Sequence, residues 1–132
     1  MSEPLRLRVE RVPALLAVVR LGATMLADDP LAPAGERTYE RWGVWGFSVL
    51  EVPNGDDYGS LVRLRPEVGQ RRQLLVADGH ALIRDGFPVI PTLDHPHWTV
   101  FLAEATVEQV ERVRRHFRGH VPTPPGSGDD RR

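Results

Sequence analysis

The chain has 132 residues with 17 basic and 18 acidic groups, a net charge of −1, a length that suits one domain whose core needs no metal or disulfide. All 17 of those bases are arginine and there is no cysteine, which excludes Schiff-base chemistry, the lysine of a phosphate-binding loop, thiol nucleophiles and thiolate metal ligands. A charge near zero supplies no general positive field to recruit nucleic acid, so no nucleic-acid partner is expected.

Leu5, Leu7 and Val9 alternate with Arg6, Arg8 and Glu10, the period-two pattern that predicts an opening strand with one buried face. Pro13 and the apolar residues after it, continuing past Arg20 to Leu26, predict a buried helix with proline in its first turn. A strand over 16–21 competes, because Val18 and Val19 are β-branched and Gly22 weakens a helix. This run is too short for a membrane span, and the N-terminus lacks the layout of a secretion signal, so a cytoplasmic home is expected. Residues 28–38 contain Pro30, Pro33 and Gly35 and predict an exposed loop. The aromatic and β-branched run over 42–52 predicts a central strand ending at the turn 53–56. Asp57 predicts the cap of a short helix that buries Tyr58, Leu61 and Val62 and stops before Pro66. A strand over 73–77 follows, then a helix over 79–85 capped by Asp78 and stopped by Gly86, then a strand over 87–90. After a turn over 91–96 comes a strand over 97–102, and Thr106 with Gln109 predicts the capping box of a last helix. Val107, Val110, Val113 and Phe117 are its buried stripe, Glu108 with Arg112 and Glu111 with Arg115 are its surface pairs, and Gly119 its end. Residues 121–132, rich in proline and charge, predict a flexible tail behind a globular domain over 1–120. The sum is an α+β fold: one small domain with a mixed or antiparallel sheet of four to five strands and helices packed on it.

The polar cluster of this chain is Asp94-His95-Pro96-His97. Residues two apart on an extended backbone share a face, so His95 and His97, completed by His80, form a candidate metal set. His97-Trp98-Thr99 is also half of the His-x-Thr motif of two-histidine phosphoesterases, in which one imidazole is base and the other acid. The second copy of the motif is missing, since His80-Ala81-Leu82 carries no hydroxyl. An arginine on an early strand (Arg6 or Arg8), Ser48 on a later one and Glu104 near the end follow the order of an ADP-ribosyltransferase, without the accompanying Ser-Thr-Ser or Glu-x-Glu elements. The candidate catalytic residues are therefore His97, Thr99, Ser48 and Arg8. Trp42, Trp45 and Tyr39 lie together in sequence and are candidate partner-binding residues, because such side chains are enriched at binding hot spots.

The order Gly-Phe-Ser-Val, then Leu-Leu-Val-Ala-Asp, then Gly-Phe-Pro-Val-Ile-Pro-Thr and Pro-His-Trp-Thr-Val resembles small uncharacterised α+β proteins of GC-rich bacteria over residues 44–103. The resemblance implies a fold and no site. The expected function is that of a small binding or accessory domain acting through a protein partner or self-association, without cofactor or membrane. The alternative is a nucleotide-processing enzyme, ADP-ribosyltransferase-like or phosphoesterase-like, with its site around His97.

Overall fold

The computed structural model describes residues 6–21, 39, 42–71, 74–104 and 106–120. The loop expected over 28–38 and the tail over 121–132 lie outside the described residues. Among these residues nine strands and α-helices follow in order, besides 3-10 turns at Pro53–Gly55 and Pro66–Gln70: β1 (Ala17–Leu21), β2 (Trp45–Val52), α1 (Tyr58–Leu64), β3 (Leu74–Asp78), α2 (Gly79–Arg84), β4 (Val89–Pro91), β5 (His97–Leu102), α3 (Val107–Arg114) and β6 (Arg118–His120). The strands form one sheet in the order β4-β5-β2-β1-β3-β6, and every neighbouring pair is antiparallel. The architecture is α+β, with six strands where four to five were expected.

Within the stretch from Pro13 onward where a helix was expected, Ala17–Leu21 is a strand, close to the competing strand over 16–21. β1 lies inside the sheet between β2 and β3, and its two valines are fully buried on opposite faces, Val18 in one core and Val19 in the other. A strand covered on both faces has no polar side to alternate with, so its sequence reads as a continuous apolar run. The expected opening strand is a weaker feature. Leu7 makes an isolated bridge to Thr92, Arg8 N–H donates to the Pro91 carbonyl at 2.9 Å and Leu93 N–H to that of Arg6 at 3.0 Å. Leu7 and Val9 both stay exposed, so this segment borders β4 without burying a face of its own. The added strand β6 pairs Gly119 with Leu75; three residues without apolar alternation give periodicity nothing to detect.

Both faces of the sheet are covered. Phe47, Val49, Trp98 and Val100 pack with Leu82 of α2 and with Val110, Val113 and Phe117 of the α3 region. On the opposite face Val19, Leu50, Val52 and Leu74 pack with Leu61 of α1 and Val68 of the following 3-10 turn. The helix starts follow the predicted capping. Asp57 accepts the Ser60 N–H, Asp78 the His80 N–H and Thr106 the Gln109 N–H, each satisfying a donor that the first turn leaves open. Gly86 takes the left-handed conformation, φ 96°, that releases the chain after α2. Both surface pairs differ from expectation: Arg112 reaches Asp85 at 2.8 Å rather than Glu108, because the end of α2 presents both the Asp85 carboxylate and its carbonyl to it, and Glu111 pairs with Arg114 at 3.3 Å rather than with Arg115. Among the described residues no helix is long and apolar enough to cross a membrane.

Candidate functional site

The turn between β4 and β5 folds Thr92 back onto His97. Thr92 N–H donates to the His97 carbonyl at 3.1 Å, and His97 N–H to that of Asp94 at 2.8 Å. Continuation of the β4–β5 ladder sets Thr92, His97 and Thr99 on one face, where all three are buried. The Thr92 hydroxyl shares hydrogen bonds with His97 Nδ1 at 2.9 Å and with the Thr99 hydroxyl at 2.7 Å. Burial, the largest influence, holds His97 below the usual imidazole pKa; the Arg65 and Arg8 charges act in the same direction and the Thr92 carbonyl opposes them. A neutral imidazole is therefore the native form at neutral pH.

Arg8 comes to this turn from the N-terminal segment. Its Nη1 donates to the Thr92 carbonyl at 3.3 Å and its Nε to Glu10 at 2.9 Å, while the buried Nη2 has no hydrogen-bond partner among the described residues. Beside it, Glu51 of β2 is only 8% exposed and accepts the Trp98 indole N–H at 2.9 Å. His95 Nδ1 lies 4.0 Å from the same Glu51 oxygen. Glu10, Glu51 and His95 each offer one potential ligand atom, and these atoms lie within 4.8 Å of one another.

Of the residues singled out from sequence, Arg8, His97 and Thr99 thus meet around Thr92, with His95 on the same turn. Ser48 does not join them. It stands opposite Thr99 in the β2–β5 register, but it is exposed and its carbonyl accepts from Arg20. Glu104 is exposed as well. The metal set His80, His95 and His97 is not assembled: His80 Nε2 contacts the Pro13 carbonyl at 2.6 Å, and His97 Nδ1 is engaged by Thr92. His80 instead borders a cavity of about 550 Å³ with Tyr58, Arg84, Arg118 and His120, in which Tyr58 and His120 stack at 4.3 Å. Thr92, Glu10 and Glu51 were missed from sequence. Glu51 carried a readable signal, because it shares the inward phase of β2 with Phe47 and Val49 and is the charged member of that series.

The aromatic residues divide. Trp98 is core. Trp45 is half-buried and stacks on Tyr39, ring centroids 4.5 Å apart and planes at 16°. Trp42 lines an open groove of about 400 Å³ with Leu7, Val44, Pro88, Ile90 and Phe101. Among the described residues the side chains bordering that groove are apolar or aromatic, and Leu7 is 60% exposed at its edge.

Chemically, the two regions differ in what they offer. The Thr92–His97–Thr99 network is closed: its imidazole is buried and hydrogen-bonded on Nδ1, which fastens the hairpin more readily than it serves a substrate. The groove beside Trp42 is open and apolar. Compared with known proteins, the chain matches no protein-family model, no curated protein and no solved structure, so the likeness noted over residues 44–103 brings no relative's activity to either region.

Proposed function

We propose that this chain is a small binding domain that works as a self-associating unit, with the Trp42 groove as its contact surface. The observation that carries this reading is the groove itself, where apolar side chains converge and stay open to water. Leaving such a surface wet costs about 25 cal/mol for each Å² that a partner would cover. A contiguous apolar recess of this kind is a mark of association rather than of scattered surface hydrophobicity.

A second copy fits the surface better than a charged ligand does. Among the described residues the groove offers no charged side chain to orient an ion or a phosphate, whereas it combines an exposed residue, Leu7, with an apolar trough. A two-fold pairing sets the same patch against itself and needs this sort of self-complementarity. With a net charge of −1, two copies do not repel appreciably. Tyr39 and Trp45 lie on the same stretch of chain as Trp42, and Tyr39 is 48% exposed, available to the rim of the contact. The enzyme alternative has less support, since His97 is committed within the hairpin and Ser48 stands apart.

The test is the mass of the full chain in solution, read by light scattering across a dilution series. A dimer that Leu7→Glu and Val44→Glu convert to monomer, with thermal stability of the monomer retained, supports the reading; both side chains are exposed, so neither change disturbs the core. A wild-type chain that stays monomeric at every concentration overturns it.

A further inference from the structure

The geometry points to a divalent metal site formed by Glu10, Glu51 and His95. Nothing in the self-association reading requires it, and it uses other residues. The three ligands come from separate segments: Glu10 from the stretch bordering β4, Glu51 from β2 and His95 from the turn before β5. Their donor atoms lie within 4.8 Å of one another. A first-row ion with bonds of about 2.0–2.2 Å sets adjacent ligand atoms roughly 3.5 Å apart, so the shell closes by movements on the order of 1 Å. Glu10 is exposed and the His95 side chain is 51% exposed; both stand where they can make that movement, while Glu51 is held.

Glu51 supplies the second, independent observation. Its side chain is nine-tenths buried, and among the described residues the one hydrogen bond reaching its carboxylate is the neutral indole N–H of Trp98, on Oε1. A buried carboxylate met only by a neutral donor lacks the positive charge that burial demands. The closest cationic candidate, the His95 ring, stands at 4.0 Å, too far for a hydrogen bond. Arg8 is turned to Glu10 and to the Thr92 carbonyl. A divalent ion between Glu10, Glu51 and His95 would satisfy the buried carboxylate directly. The Trp98 contact then has the role of an outer partner that fixes a ligating carboxylate in place.

The ligand chemistry narrows the ion. One imidazole with two carboxylates and no sulfur suits zinc or manganese over soft monovalent copper. Three protein ligands leave coordination positions for water, on the side where His95 and Glu10 reach solvent.

Zinc and manganese are the probes, added to the chelator-stripped full chain, with binding followed by calorimetry and by thermal melting. One ion per chain and a melting temperature that rises with metal concentration are expected. Glu51→Gln, which keeps an oxygen for the Trp98 indole, and His95→Ala should each weaken binding at least tenfold. Manganese should also quench part of the tryptophan emission, and Trp98→Phe should abolish that part. His80→Ala and His120→Ala should bind as the wild type does. Failure of both ions to bind or to shift melting at millimolar concentration overturns the site, as does undiminished binding by His95→Ala. If Glu51→Gln does not fold, Glu10→Gln takes its place, since Glu10 is exposed and its loss leaves the core intact; a Glu10→Gln chain that binds as tightly as the wild type also refutes the assignment.

Discussion

Trp98 and Glu51 are 47 residues apart in sequence, and the bond between them joins β5 to β2 in a buried setting. Replacing Trp98 by Phe removes the indole N–H, leaves the Glu51 carboxylate without its donor and opens space beside it. Loss of a hydrogen bond to a charged group costs about 1.5–3 kcal/mol. The space left by the smaller ring, on the order of 40 Å³, adds about 1 kcal/mol at roughly 24 cal/mol per Å³. Trp98→Phe should therefore cost about 2.5–4 kcal/mol, the sum of those two contributions. Glu51→Leu alone orphans the indole but also relieves the burial of a carboxylate, so its cost should be smaller. In the double variant both polar partners are gone, and the Trp98→Phe step should shrink to the cavity contribution of about 1 kcal/mol. Urea unfolding followed by circular dichroism, with a chelator present so that bound metal does not contribute, measures all four corners. A coupling energy below about 0.5 kcal/mol would refute the reasoning, because independent sites add to within that margin.

Other consequences concern single groups. The folded pKa of His97 is depressed below its ordinary 6.5, so the unfolded chain takes up its proton first as the pH falls; stability from this residue is complete above 6.5 and drops on the acid side. His97→Asn should flatten the decline in melting temperature between about pH 7 and pH 5 relative to the wild type, as pH-dependent thermal melts would show. Asp85 is held below the ordinary carboxylate value of 3.8 by its hydrogen bond from Arg112 and then by that from His116. Its contribution is present above that value and disappears as the pH falls through the lower folded pKa, so Asp85→Asn should reduce the steepness of acid unfolding. At Gly46 a Cβ would stand 2.7 Å from the Val100 carbonyl oxygen and 3.3 Å from Phe101 and Thr99 side-chain atoms. Gly46→Ala should then cost about 1–3 kcal/mol in chemical unfolding, because the obstruction is backbone that cannot swing aside; a neutral substitution would show that β2 and β5 are less closely apposed.

Local chemistry was legible wherever a few adjacent residues decide the outcome. The three helix caps at Asp57, Asp78 and Thr106 and the left-handed stop at Gly86 are each written within four or five positions, and they were read correctly. Burial on both faces is a different matter. Val18 and Val19 point into opposite cores, and a run with no polar side is compatible with a buried helix until its neighbours in the sheet are known. The segment around Leu7 shows the converse: its alternation is clear, yet among the described residues it makes a single bridge, because alternation describes what a strand could bury and not whether a surface exists to bury it against.

The polar cluster divides along the same line. Arg8, His95, His97 and Thr99 were recognisable by residue type, and the fold gathers them near one hairpin. Their pairing was not recognisable, since it follows from strand order: Val49 faces Trp98 and Glu51 N–H donates to the Pro96 carbonyl, which sets the Glu51 side chain diagonal to the Trp98 ring. That diagonal gives Glu51 its indole donor and turns it toward the turn carrying His95. Asking which inward position of β2 is charged would have found Glu51 from sequence; asking which residue answers that charge requires the β2–β5 register. A charged residue in the buried phase of a central strand is expensive unless something compensates it, so the more useful search from sequence is for the position that breaks an apolar alternation. Histidine pairs such as His95 and His97 are conspicuous by type, but here the ring of the second is taken up by Thr92, and the carboxylate is the member whose environment remains incomplete.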